Sequence, residues 1–334
     1  SGDSTSGSDD TTGGEKNDPQ PGGSPAPESQ FTYTSAYSDE GTPNESTTAL
    51  KTAADNFKAA AQNVIRIINK LAGNDNTLNV TLDNVNIKAN NNAALSVEGA
   101  GNTTITLKGS NTLTGGDGHA GLEHNEKSED SSGKSVDTGK LTITSGTNTD
   151  EGSNTGILTA TGGSGAAGIG GAKNNGAGTI EITGGNITAN GGNGGSGGDN
   201  GAGIGSGSMA TGNTNITISG GTVKAKGGDN GAGIGSGSMA AGNTNITISG
   251  GTIEEAVGGS TGDGIGGGNS SRNITVTIQG GTIEEAVGGS NGNGLAGHGI
   301  HSDSTLNISG GTIVNAQGGN GRYGGECIRS DSTL

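Results

Sequence analysis

Aromatic residues are nearly missing from this sequence. The 334 residues include no Trp, three Tyr and two Phe, and none of these lies between residues 58 and 322. A sugar-stacking aromatic platform is therefore excluded from the middle of the chain. Cysteine occurs once, at Cys327, so no internal disulfide can brace the fold. No run of 18 apolar residues exists, so no transmembrane helix is encoded and direct membrane insertion is not expected. Positive charge is scarce: 16 Lys and Arg face 32 Asp and Glu, a formal charge of −16. That balance disfavours nucleic acid and anionic lipid as partners. All five prolines precede residue 44, and no three-residue glycine period exists, which excludes collagen.

What remains abundant is glycine, 74 residues of it. Residues 1–46 combine glycine with Ser, Thr, Pro and nine acidic side chains against one lysine. Such a segment buries too little apolar area to offset its chain entropy, and it reads as a disordered acidic spacer. The start at Ser1, without Met or signal peptide, reads as a processed or trimmed terminus. Over residues 47–73, Leu50, Ala53, Ala54, Phe57, Ala60, Ala61, Val64, Ile65, Ile68 and Leu71 recur at helical spacing. With Ser46 or Thr47 as N-cap and Gly73 as stop signal, the pattern predicts an amphipathic capping helix.

Residues 74–334 are read as repeats. Residues 197–222 and 227–252 are identical except for Thr211 against Ala241, and 250–260 recur unchanged at 280–290. Each copy holds three strand-like pieces. The first carries pairs such as Ile216/Ile218 and Ile246/Ile248. The second follows a Gly-Gly turn and carries Ile187, Val223, Ile253, Ile283 and Ile313. The third contains Leu95, Leu122, Ile169, Ile204, Ile234, Ile265, Ile300 and Ile328. The pattern predicts an all-β fold, a parallel β-helix of about eight turns. Right-handed winding is expected from the general handedness of parallel crossovers. The last residues, Ser330-Asp331-Ser332-Thr333-Leu334, repeat Ser302 to Leu306, so the rod is expected to be truncated and part of a longer polypeptide.

Outward residues of the first strand form columns. Asn215, Asn245, Thr275 and Thr305 make one, Thr217, Thr247, Thr277 and Asn307 a second, and Ser219, Ser249, Gln279 and Ser309 a third. Such an array of hydroxyls and amides is a candidate ligand face for a regular partner, a glycan or ice, and also suits a solvated face. Calcium takes carboxylate and carbonyl oxygens, and Asp199, Asp229, Asp263, Asp303 and Asp331 occupy turns, where aspartate is also an ordinary turn residue. The calcium β-roll repeat itself does not fit GGDNGAGIG. His119 and His124 stand among Asp117, Glu123 and Glu126, a mixture that could hold a transition metal; no Cys or third His completes the set, so surface histidines are expected, and His298 and His301 form a second pair. Glu254-Glu255 and Glu284-Glu285 are neighbours in a strand and are expected on opposite faces, so no acid–base pair and no catalytic residue is expected. A polysaccharide lyase or glycoside hydrolase is the alternative reading.

The phrases GHGIHSDSTLNISGGTI (297–313) and GECIRSDSTL (325–334) resemble bacterial secreted β-helix proteins described as carbohydrate-binding domains, some of them calcium-binding. Their pattern is Gly-Ile-x-Ser-Asp followed by Leu-x-Ile-x-Gly-Gly. The turns GAGIGSG…NITISGG are similar to those of large surface proteins of gut and oral bacteria. The likeness spans about residues 78–334. It implies a secreted or cell-surface, adhesin-like module whose partner is a polysaccharide or a host or neighbouring cell surface, with Asp303 and Asp331 as calcium ligands. In the central turns Ser-Gly or Gly-Gly replaces Ser-Asp, which removes the ligand there.

Overall fold

A computed structural model describes residues 29–37, 44–52, 65–71, 73–129, 133–146, 156–194 and 198–332. Among them every regular element is a strand. Three parallel ladders wind up the chain. The first is built from Gly73–Asp83, Gly101–Lys108, Leu141–Ser145, Gly178–Ile182, Thr214–Ile218, Thr244–Ile248, Ile274–Ile283 and Thr305–Ile313. The second contains Asn86–Lys88, Ser110–Thr114, Ile157–Thr161, Asn186–Asn190, Thr222–Lys226 and Thr252–Val257, continuing to Ala286–Val287 and Ala316–Gln317. The third ladder has nine short strands, from Ile65–Ile68 to Ile328–Ser330. Each coil therefore pairs with the next along three sides, the arrangement of a parallel β-helix.

Alternation explains the core. In Thr214–Ile218 the residues alternate buried and half-exposed, with Ile216 and Ile218 inside. Ile218, Ile248 and Ile278 lie directly over one another in the register, as do Leu158, Ile187, Val223, Ile253 and Ile283. A narrow stack of this kind needs few apolar residues per coil, because each is covered above and below as well as from across the interior.

Two expectations are corrected, and the stacking of the early coils shows a stagger between them. The helix over 47–73 fails at its C-terminal end: Ile65–Ile68 is a strand paired in parallel with Leu95–Glu98, with Ile67 buried and Ile68 exposed. Ladder pairing supplies these residues with backbone partners and a core, and overrides helical periodicity. Upstream, Asn44–Thr52 is a strand antiparallel to Ser29–Tyr37, itself within the stretch read as a spacer; residues 53–64 lie outside the described residues. The early coils stack two residues out of step with the later ones. Ile105 sits on Ile143 instead of Leu141, and Thr103 takes the place over Leu141, fully buried with its Oγ1 unpartnered. Second, Glu254 and Glu255 do not point to opposite faces. The register slips between Val223 and Lys224, and Ile253 and Ala256 both face inward, so the bulge carries both carboxylates outward.

Asn111 was not anticipated. It stands opposite Leu158 in an otherwise aliphatic column and is fully buried. Its Nδ2 donates to the carbonyls of Lys108 and Ile157, at 2.9 and 3.0 Å, and its Oδ1 accepts the Val85 N–H at 2.9 Å. Burying an amide is tolerable only with its bonds made.

The corner after the third-ladder isoleucines Ile169, Ile204, Ile234 and Ile265 is glycine. Gly205, Gly235 and Gly266 have φ of 137, 139 and 150°. A Cβ on Gly235 would stand 1.8 Å from the carbonyl oxygen of Gly266 in the next coil. Gly235→Ala is expected to destabilise by at least about 3 kcal/mol, combining strain with a backbone clash. Gly118→Ala, at φ 76° with nothing within 4 Å of the added Cβ, is expected to cost about 1 kcal/mol. Urea unfolding of the two variants measures the difference.

Candidate functional site

The first ladder carries the polar columns on its outer face. The register places Asn215 on Asn245 and Thr275 on Thr305, and Thr217 on Thr247, Thr277 and Asn307 without a slip. Flanking inward isoleucines hold the backbone flat, so these side chains stand half-exposed or exposed. Asn245 Nδ2 donates to Asn215 Oδ1 at 2.8 Å, and Asn243 to Asn213 at 3.2 Å. The threonine column continues into the earlier coils as Thr104 and Thr142, interrupted by Glu181, whose carboxylate accepts from Lys140 Nζ at 2.5 Å. Thr77, Asn102, Thr104, Lys140 and Thr142 line a shallow cleft on this side. The face can donate and accept hydrogen bonds at one spacing, about 4.8 Å per coil.

The five candidate calcium aspartates are dispersed. Asp199 Oδ2 accepts from Lys173 Nζ at 2.7 Å. Asp229 lines an open groove with Asn190, Asn193, Lys226, Ser260 and Ser290. Asp303 is a backbone clamp: Oδ2 accepts the Asn273 N–H at 2.9 Å and Oδ1 the Ile274 N–H at 2.6 Å, joining two coils. Asp331 accepts from Arg329 Nε at 2.6 Å and faces His301 Nε2 at 3.3 Å. Both oxygens of Asp303 and of Asp331, the two positions implied by the resemblance, thus meet protein donors.

Asp263 and Asp331 do come together, through His301. Asp263 is 4% exposed; its Oδ2 meets His301 Nδ1 at 2.8 Å and accepts the Gly267 N–H at 2.9 Å, and its Oδ1 accepts the His298 N–H at 2.8 Å. His298 Nδ1 accepts the Glu326 N–H at 2.8 Å. Burial opposes charge on His301, but the hydrogen bonds and charges of Asp263 and Asp331 outweigh it and raise its pKa. Burial lowers that of His298. The Arg329 hydrogen bond, with help from His301, lowers that of Asp331. The sequence signal for this cluster is a break in the repeat: GAGIGS becomes GDGIGG and then GHGIHS.

The other histidine pair and its acidic neighbours do not gather at one point. His119 Nδ1 meets Glu123 Oε2 at 2.9 Å, while Glu126 accepts from Asn213 Nδ2 at 2.6 Å. His124 is fully buried, its ring nitrogens 2.5 and 2.7 Å from the carbonyl oxygens of Ala177 and Gly139. Elsewhere, Lys224 Nζ contacts Glu254 Oε2 at 2.9 Å on the outer side of the second ladder.

A family model described as a beta helix repeat matches residues 216–238 and 246–269. These are segments of two successive coils, and with the three ladders they mark the chain as carrying parallel β-helix repeats. No curated protein and no solved structure matches the chain.

Burial depresses the His124 pKa below its ordinary 6.5, against the opposing pull of the two carbonyls. The unfolded chain binds a proton that the folded chain resists, so this group makes stability fall as pH drops below about 6.5. Melting temperatures between pH 7.5 and 5 should show a shallower acid decline for His124→Gln than for the parent. Equal slopes would remove His124 from the account.

Proposed function

We propose that this protein is a non-enzymatic, secreted or cell-surface β-helix module, adhesin-like, that binds polysaccharide along the outer face of its first ladder. One observation carries the reading: outward Asn and Thr positions lie in unbroken register over successive coils, from Asn215 and Thr217 to Thr305 and Asn307. A polymer with regularly spaced hydroxyls can be matched coil by coil by such an array. The mid-chain lack of aromatics makes hydrogen bonding the mode of recognition. The chain's acidity favours neutral glycans over strongly anionic ones.

Glycan arrays probed with and without calcium test the proposal. Replacing Thr217, Thr247 and Thr277 together by Val removes three hydroxyls and keeps β-branched shape. With each bond worth about 0.5–1.5 kcal/mol, affinity should fall by at least about tenfold while circular dichroism stays unchanged. Three outcomes count against the reading: no binding in either condition, thermal hysteresis without glycan binding, or release of reducing or unsaturated ends from a bound polymer. The second would make the face an ice-binding one, and the third would make the protein a lyase or hydrolase.

A further inference from the structure

The last coils depart from the repeat at two corner positions. Just before the third ladder, Ala167, Ala202 and Ala232 stack at one site, each fully buried. The next coils put Asp263, His298 and Glu326 there, as shown by the bonds from Gly233 N to Asp263 O, Gly264 N to His298 O and Gly299 N to Glu326 O. Just after the isoleucine, the glycine of four coils, Gly170 to Gly266, gives way to His301 and then Arg329. Alanine and glycine already satisfy these corners. A buried carboxylate in place of alanine carries a desolvation penalty that must be matched by partners, so the change calls for a specific role.

We propose that Asp263, His298 and His301 form a binding site for a divalent transition metal of the zinc class. Each side chain can offer one ligand atom, and the three atoms lie within 4.8 Å of one another. The imidazole centroids of His298 and His301 are 4.8 Å apart, tilted by 48°, an arrangement that lets both rings turn toward one ion. Two imidazoles and a carboxylate are borderline donors suited to zinc, nickel or copper and ill suited to calcium.

The outer contacts are in place. Asp263 Oδ1 is held by the His298 N–H at 2.8 Å, which leaves Oδ2 toward the rings. With His301 ligating through Nδ1, its Nε2–H points to Asp331 Oδ2, 3.3 Å away, and that carboxylate is anchored by Arg329. A histidine that donates its second N–H to a carboxylate is the usual support of a metal ligand. Loading has two costs: the Nδ1 proton of His301 leaves to solvent, and the Glu326 N–H releases His298 Nδ1. The second bond is an exposed one. Zinc–ligand distances of about 2.0–2.2 Å also require the three atoms to draw together by side-chain rotation.

The competing explanation is an ion-paired clamp without metal. It employs Asp263, His301 and Asp331 in direct ion pairs and leaves the His298 ring outside them, so His298 separates the two. The full chain, dialysed against zinc and then against buffer, should retain about one zinc per molecule at this site. Cobalt in its place should give visible absorption bands characteristic of nitrogen and oxygen ligands. His298→Ala and His301→Ala should each weaken binding by about 10- to 100-fold or more and abolish the zinc-dependent rise in melting temperature. His119→Ala, remote from the cluster in the repeat, should leave both unchanged. Failure of the parent to retain zinc overturns the site. So does zinc affinity that survives both His298→Ala and His301→Ala, or that is lost in His119→Ala.

Discussion

Coil-to-coil backbone pairing is the constraint on which the structure depends. Each coil presents its N–H groups to the carbonyls of a neighbour on three sides, as in the runs from Thr214–Ile218 through Thr244–Ile248 to Ile274–Ile283. The bonds are short-range and repeat, so residues about 30 apart in sequence lie in contact while residues ten apart face different sides. Every column, whether aliphatic, hydroxyl or charged, follows from this. Close backbone approach also explains the glycine at the corners, where a Cβ on Gly205 would lie 1.7 Å from Gly235 O.

The same pairing sets what substitutions the interior tolerates. A coil with a different residue cannot move away from its neighbours, so the residue must find partners within the stack. Asn111 does so with three backbone groups. Thr103 sits in the place over Leu141 with an unpartnered hydroxyl, a cost carried where the early coils run out of step. Asp263 is matched by two N–H groups and an imidazole. Outside the stack the demand is weaker, and Lys140–Glu181 and Lys224–Glu254 sit on partly exposed surface, where ion pairs contribute little.

Much of the fold was legible because period and alternation are local properties of a sequence. The third-strand aliphatic residues, from Leu95 to Ile328, all fall in one ladder, and the outward Asn and Thr columns are in register. The misreadings have local causes too. Ile65 and Ile68 suit a helix and a strand equally, and the pairing with Leu95–Glu98 decides. Glu254 and Glu255 follow the alternation rule until a bulge, invisible in composition, adds a residue. The turn aspartates look alike in sequence but have different partners: a lysine for Asp199, two backbone amides for Asp303, an arginine and a histidine for Asp331.

Sequence alone determined the repeat, the strand type and the polar face, since each depends on residues within one coil or on copies of it. The tertiary structure decided which aspartate meets which partner and that Asp263, His298, His301 and Asp331 share one corner. Apart from His298 and His301, which share one coil, those residues are 30 to 68 positions apart, and their meeting depends on the stagger of three successive coils. Stagger is set by the summed hydrogen bonds and side-chain packing of whole ladders, which no single segment of sequence contains.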